Sequence, residues 1–539
     1  MAERGGGWRG WLAIALGVAV AWGSIAAQGP PPAASADAPP GEFSAGRAGA
    51  VVAEVAVEPH PTGSPANDRA REVILRRLQG LGIEAEVQAP RDPASPLRNV
   101  VARVPGKGPS GRKALMLCAH YDSVPHGPGA GDDGSGVAVI LETLRALRAG
   151  PPLDRDLIAL IDDGEERGLH GAHLFVDEHP RAGEVGVVLN FDARGTSGPS
   201  FMFETSDGNG WLVRQFAAAS PRPLATSVSM DIYRLMSNST DLTVFKQAGM
   251  AGLNFAFSRG LSDYHTRDDT PANLDPRTLQ HQGENALALT RHLGHLDLDD
   301  VRRDDVVYFS ILNRAVVIYP VAWAWPLGAV PALLWVVVAA VGWRRGRVGL
   351  LDLAAGLGAW PLAAFVAVFA AGGFWLVLRD VVTNLGLPVL RVDLPILTAC
   401  AVVAATVMLL LERRLGRGRP AEALGLGGLA WWAALALATA RWAPGMSYVF
   451  AWPTLAALVA LGASLLWNRD SGGAVVANFL GAAPTLVLMP PMTREAFQAL
   501  SFRMTTPLML LVVITLGAIL PILGPIVAPR RLEGAGRAG

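Results

Sequence analysis

Beyond residue 316 the chain carries seven apolar stretches, near 317–343, 353–378, 393–411, 422–440, 447–467, 474–492 and 506–527. Each is long enough to cross a lipid hydrocarbon core. Inside lipid a backbone must satisfy its own hydrogen bonds, so such stretches fold as helices. Pro and Gly interrupt several of them, as membrane helices tolerate. Residues 317–528 are therefore expected to form an all-α polytopic domain in a lipid bilayer, followed by a cytoplasmic tail at 529–539. The composition agrees, since 51% hydrophobic and only 17% charged residues exceed what a soluble core explains. A formal net charge of zero gives no reason to expect nucleic acid as a partner.

Arginines in the connecting segments are unevenly spread. Arg344, Arg345 and Arg347 follow the first stretch, Arg413, Arg414, Arg417 and Arg419 the third, and Arg530 and Arg531 the last. The alternate segments hold only Arg379, Arg391, Arg441, Arg494 and Arg503. Cytoplasmic loops carry the basic excess, which puts the C-terminus inside the cytoplasm and residues 28–316 outside it. Among ionisable residues of the spans, Asp352 and Asp393 lie at edges and none is clearly central, so anchoring is a simpler role than transport. At the other end, Arg4 and Arg9 precede an apolar run from Trp11 to Ala27, the pattern of a signal peptide or signal-anchor helix within residues 1–30. Residues 31–47 are rich in Pro, Ala and Gly and are expected to be a flexible linker. Cys118 and Cys400 lie in separate apolar runs, and no disulfide is expected between them.

Residues 48–300 read as a globular domain, joined to the apolar region by a linker at 301–316. Ala70, Val73, Ile74, Leu75 and Leu78, with arginines between them, predict an amphipathic helix over 67–79 that stops at Gly80 or Gly82. Apolar runs predict strands at 99–104, 114–118, 156–161, 186–191 and 253–257, and helices at 137–147, 171–178 and 276–293. This alternation indicates an α/β fold, a mostly parallel sheet sandwiched by helices. Such sheets gather functional groups at the C-terminal ends of their strands. His120, Glu165, Asp192 and His265 all follow a strand.

The richest stretch is Cys118 to Leu141, a buried strand, then a Gly/Pro loop, then a helix that Ser135 is placed to cap. His120 and Asp122 are two apart, on one side of an extended segment, and Asp132 and Asp133 sit in the loop. A second cluster, Asp162, Asp163, Glu165 and Glu166, crowds another strand end. Carboxylates gathered this closely repel, so a fold that collects them usually holds a cation. Asp192 and His265 say little alone; the ordered set at successive strand ends is what carries information. His126, His170 and His173 read as bystanders in the surrounding loops.

Taken together, HYDSV, GPGAGDDGSG, EERGLHGAHLF, NFDARG and DYHTRDDT resemble the co-catalytic dizinc aminopeptidases, a family with glutamate carboxypeptidase-like and glutaminyl cyclase relatives. The resemblance runs over about residues 55–295 and includes PHPTGSPANDRAREVILRRL. With its apolar second half the chain is similar to the membrane branch of that family, the vacuolar membrane proteases and endoplasmic reticulum metallopeptidases. Ala172 stands where the family commonly has Ser. The resemblance implies a zinc-exopeptidase-like fold and two Zn2+ per chain, with Asp132 bridging them. His120 and Asp192 would complete one ion, Glu166 and His265 the other. Asp122 would orient His120, Glu165 would act as general base and acid, and Tyr264 would hydrogen-bond the oxyanion. The Asp132–Asp133 peptide would be cis. The implied activity is that of a membrane-anchored zinc exopeptidase working on a peptide or protein N-terminus. A peptide-binding or transport/assembly protein with a protease-like domain, and a single-zinc glutaminyl-cyclase-like enzyme, stand as the other readings.

Overall fold

The computed structural model describes residues 7–235, 238–385, 393–466, 472–500 and 505–527. The chain divides into two compact units, Gln28–Val321 and a second formed by Met1–Ala27 with Ala322–Gly539.

The first unit is built on a seven-stranded sheet: β1 (Ala85–Gln88), β2 (Asn99–Val104), β3 (Ala114–His120), β4 (Leu157–Asp162), β5 (Val185–Phe191), β6 (Phe201–Thr205) and β7 (Ala251–Ala256). Their spatial order is β1-β2-β4-β3-β5-β7-β6. The four central strands pair in parallel and the outer three pair antiparallel, so the sheet is mixed with a parallel centre. β3 and β4 are buried along their whole length, because helices cover both faces. Alternation sorts the side chains of β3. Leu115, Leu117 and Ala119 join one core with the helix Gly134–Arg148, while Met116 and Cys118 join another with Phe175 and Phe245. His120 continues the second face past the end of the core.

The helix Gly134–Arg148 is capped by Asp133, whose side chain accepts from the Gly136 N–H at 2.9 Å. Ser135, the expected cap, is the second residue of the helix and donates instead to the Gly131 carbonyl at 2.8 Å. The helix begins three residues earlier than the apolar periodicity suggested, since its first turn opens with small residues.

Both expected linkers carry structure. Within 31–47, Phe43 is buried and its ring lies where a Cβ on Gly283 would have to go, 2.0 Å from the nearest ring carbon. The Phe43 carbonyl accepts from Gln280, and the Ser44 N–H and the Arg47 guanidinium both donate to Glu142. This Pro- and Gly-rich segment is ordered by polar contacts that composition does not reveal. Residues 301–316 contribute β8 (Val306–Ile311), which pairs antiparallel with β9 (Ala315–Pro320). Tyr308 is buried there, and its carbonyl accepts from Ser227. The first apolar stretch therefore opens as a strand, and its helix begins only at Ala324.

In the second unit the helices are Ala324–Arg344, Leu350–Asn384, Asp393–Leu415, Ala421–Trp442, Ser447–Leu466, Gly472–Leu500 and Thr505–Val527. Among the described residues six are long and apolar enough to cross a membrane, and Leu508–Ile519 forms a shorter apolar segment in the seventh. The N-terminal helix Gly7–Ala27 belongs to this unit, and its buried Ser24 hydroxyl donates to the Leu486 carbonyl at 3.1 Å.

Candidate metal centre

β3 delivers His120 at its last residue, and the loop after it returns with Asp132. Asp132 is held between two imidazoles, one on each oxygen. His120 Nε2 lies 3.1 Å from Oδ1 and His265 Nε2 lies 3.0 Å from Oδ2. Asp192, the first residue after β5, faces His120 and Asp132, and the ligand atoms of these three lie within 4.8 Å of one another. Asp132, Glu166 and His265 form a second group within the same limit. Two clusters thus share one carboxylate, the arrangement a bridging ligand needs. The Asp132–Asp133 peptide is cis. His265 sits at φ 59°, a left-handed conformation uncommon for a histidine, and its ring is stacked on Tyr264 with centroids 3.8 Å apart.

Behind these residues lies a set of oriented partners. His120 Nδ1 is 3.1 Å from the Asp122 carbonyl and 3.4 Å from its carboxylate, so the backbone oxygen is the nearer acceptor. The same carboxylate accepts from the Glu165 N–H at 3.1 Å. Asp122 therefore ties the His120 ring to the start of the Glu165–Arg167 turn. Asp269 accepts from the N–H groups of Gly131 and Asp132 at 2.6 and 3.2 Å, which clamps the loop that presents Asp132. The acidic quartet does not act as one. Glu165 and Glu166 face the centre, whereas Asp163 accepts from Thr62, Asn67 and the Arg98 N–H. His126, His170 and His173 are exposed and belong to no ligand group among the described residues.

The electrostatics are those of an anionic pocket. Burial opposes charge on Asp132, yet hydrogen bonds from His120 and His265 draw its pKa down to about 2. Burial likewise opposes charge on His265, and hydrogen bonds to Asp132 and Glu166 overcome it, pushing the pKa up to about 10. Burial, then the Asp132 charge, lifts Glu166 to about 7 and Asp192 to about 6. Burial also lifts Glu165 well above the usual carboxylate range, helped by Asp241 and Asp192. Four carboxylates face two imidazoles, and His265 Nε2 is shared between Asp132 Oδ2 at 3.0 Å and Glu166 Oε1 at 3.1 Å. Nitrogen and oxygen ligands with oriented partners and an excess of negative charge fit a divalent metal such as zinc.

Several residues here escaped sequence reasoning. Asp269 was visible only as the second acid of Asp268-Asp269, four residues after His265. Thr62 and Asn67 lie in the PHPTGSPAND stretch, where their polar character had no stated purpose. Arg194 lies over the Tyr264 ring, 5.6 Å from its centroid, and nothing in its spacing signalled this.

Fold and site define a metallopeptidase-like domain, and residues 99–290 match the model of Peptidase family M28. The chain is 31% identical over 232 residues to endoplasmic reticulum metallopeptidase 1 of Mus musculus, covering 42% of this chain and 26% of the relative. It is 32% identical over 268 residues to the vacuolar membrane protease of Candida albicans (strain SC5314 / ATCC MYA-2876), covering 48% and 31%. The chain thus spans about a quarter to a third of the length of these relatives. Among solved structures, an aminopeptidase from Aneurinibacillus sp. strain AM-1 superposes with a TM-score of 0.40 at 14% identity, covering 49% of this chain and 97% of that one.

Proposed function

We propose that this chain is a membrane-anchored, zinc-dependent exopeptidase of the aminopeptidase type. The observation that carries the reading is Asp132, gripped by His120 on one oxygen and His265 on the other, with Asp192 and Glu166 completing the two groups. Zinc held by these residues supplies a Lewis acid for the scissile carbonyl and lowers the pKa of water. The protein's own part is positioning and proton transfer. Glu165 takes the proton of the attacking water and passes it to the leaving amine. Its burial and its negative neighbours raise its proton affinity, which suits that shuttle. Asp122 orients both Glu165 and His120 through the contacts described above. Tyr264 has its pKa raised by burial and by Asp132, so its hydroxyl keeps its proton and can donate to the oxyanion. Glu165, which holds no metal in this reading, can accept from an α-ammonium group, which favours substrates with a free N-terminus.

The test uses the full chain in detergent, assayed for zinc and for turnover of a panel of aminoacyl anilides and their N-acetylated counterparts. Wild type should hold two more zinc ions per chain than Asp132→Asn, and should cleave only the free amines. Equal turnover of blocked and free substrates would reject the aminopeptidase assignment. A difference of one zinc, with cyclisation of N-terminal glutamine, would select the cyclase reading.

We also read the apolar helices as membrane spans, with residues 28–316 outside the cytoplasm and the C-terminus inside. Supporting this are the arginine clusters at 344–347, 413–419 and 530–531. The helix Gly7–Ala27 then serves as an anchor, consistent with its buried Ser24 contact. A reporter fused after Arg531 should be cytoplasmic while externally added protease reaches the 28–316 region. A C-terminal reporter outside the cell would remove one span from this scheme.

A further inference from the structure

A third group of potential ligands lies on the same sheet face as His120 and shares no residue with the first two. Cys118 is two residues before His120 on β3, and Asp162 is the last residue of the neighbouring β4. Asp162 is the parallel-register partner of His120, which places it diagonally opposite Cys118. Asp241 opens the short helix Asp241–Gln247 that packs over this face. Cys118 Sγ and one oxygen from each carboxylate lie within 4.8 Å of one another. All three side chains are sealed from solvent, with Cys118 and Asp162 at 0% exposure and Asp241 at 2%.

The decisive feature is what Asp162 does not do. Both of its oxygens are buried without a hydrogen-bond partner, and Asp241 Oδ1 is in the same condition. The core side of this face is apolar, formed by residues such as Leu160, Phe175, Leu242 and Phe245, while the charged groups that act on Asp162 are His120, Asp122, Glu165 and Asp163. An ionised carboxylate in such a setting needs a partner of opposite charge, and without one it keeps its proton. A leucine at position 162 would simply extend the run Leu157–Ile161 and fill the same space. The carboxylate therefore calls for an occupant, and a thiol beside two carboxylates specifies its chemistry. Thiolate sulfur selects thiophilic metals over magnesium or calcium. Zinc–sulfur and zinc–oxygen bonds of about 2.3 and 2.0 Å set tetrahedral ligand separations of about 3.5 Å, so an inward shift of about 1 Å closes the set.

We propose that Cys118, Asp162 and Asp241 form a third metal site, for a thiophilic divalent ion such as zinc, behind His120 and separate from the Asp132 centre. The site supplies three protein ligands, all sealed from solvent. It ties β3 and β4 to the helix Asp241–Gln247 directly beneath the catalytic face. The assignment does not depend on the peptidase reading.

Cobalt substitution of the full chain tests it. None of the residues around Asp132 is a cysteine, and Cys400 lies in the helical unit. A near-ultraviolet thiolate-to-cobalt charge-transfer band therefore reports on Cys118 alone. The metal-free chain loaded with Co2+ should bind three ions and show this band. Asp162→Asn should lose one ion and the band, Cys118→Ser should lose both likewise, and Cys400→Ser should lose neither. Two ions without the band would overturn the third site and leave the Asp132 centre standing; Asp162 and Asp241 would then share a proton. One ion with the band would do the reverse. Because wild type alone gives the band or fails to, a variant that does not fold leaves the decision intact.

Discussion

The two units bury polar groups in opposite ways. In Gln28–Val321 buried side chains reach across the sequence. Asp163 gathers Thr62, Asn67 and Arg98, Asp269 holds Gly131 and Asp132, and Glu142 holds Ser44 and Arg47. In the helical unit, buried hydroxyls mostly turn back on their own helix, Ser24 with its bond to Leu486 being an exception. Thr454 donates to the Phe450 carbonyl at 2.6 Å and Thr493 to that of Met489 at 2.8 Å. The first pattern fixes loops at strand ends in one geometry, which is what chemistry requires. The second satisfies each helix locally and leaves packing to small residues. Substitutions should therefore change turnover steeply in one unit and only stability in the other.

The largest effect should come from the residue proposed to move the proton without holding a ligand position. Glu165→Gln keeps shape and removes the base. Turnover should fall about 10²–10⁴-fold, the usual contribution of general acid–base catalysis, while metal content is unchanged. Glu166→Gln should instead lose metal from the group it shares with Asp132 and His265, and lose activity by that route. Zinc content and kcat measured on both variants separate the two roles. Near-normal turnover in Glu165→Gln would sink the proposed mechanism.

A smaller effect is expected one contact further out. Asp269 reaches the centre only through the backbone of the loop it clamps. Asp269→Asn retains one acceptor for two N–H donors, so the loop loosens without losing a ligand. Metal affinity should weaken about 10–100-fold, as it does when partners of metal ligands are altered, and excess zinc should restore much of kcat. A titration with a competing chelator reads the affinity. Unchanged affinity would mean that the loop is fixed by other contacts.

These cases show where the sequence was legible. His120, Asp132, Glu166, Asp192 and His265 stood out through the distinctive order of their motifs at successive strand ends; the structure brings all five together. Partners such as Asp269 did not stand out, since an acid that clamps a backbone looks like any loop acid until the fold closes. The acidic quartet looked uniform. Strand alternation and the turn after β4 then sent Asp162, Asp163 and the two glutamates to three different environments. The central strands were legible from unbroken apolar runs, but the β8–β9 hairpin was not. Its turn uses Leu312 and Asn313 at φ 52° and 53°, with no glycine to mark it, and β9 merges into the apolar stretch that follows. The segment 31–47 misled for the converse reason: its Pro and Gly content signals flexibility, while Phe43 and Ser44 supply the contacts that order it.

The smallest effect on chemistry should come from the helical unit, even for a severe substitution. Gly427, in Ala421–Trp442, faces Gly356 of Leu350–Asn384, and a Cβ there would lie 2.3 Å from the Gly356 carbonyl carbon and 2.5 Å from the Leu357 nitrogen. Backbone atoms cannot swing aside as a side chain can, so the two helices must separate. Gly427→Leu should destabilise this unit by about 1–3 kcal/mol or more, the range for overpacked interiors, and lower its melting temperature in detergent. Gly373, on the same Leu350–Asn384 helix, has open space at its Cβ position, so Gly373→Ala is the matched control and should leave the melting temperature unchanged. If the units are independent, hydrolysis per bound zinc should stay within about twofold in both variants, as for sites that share no partners. A tenfold loss in Gly427→Leu at full zinc occupancy would show instead that the helices take part in presenting substrate, and the division of labour between the units would fail.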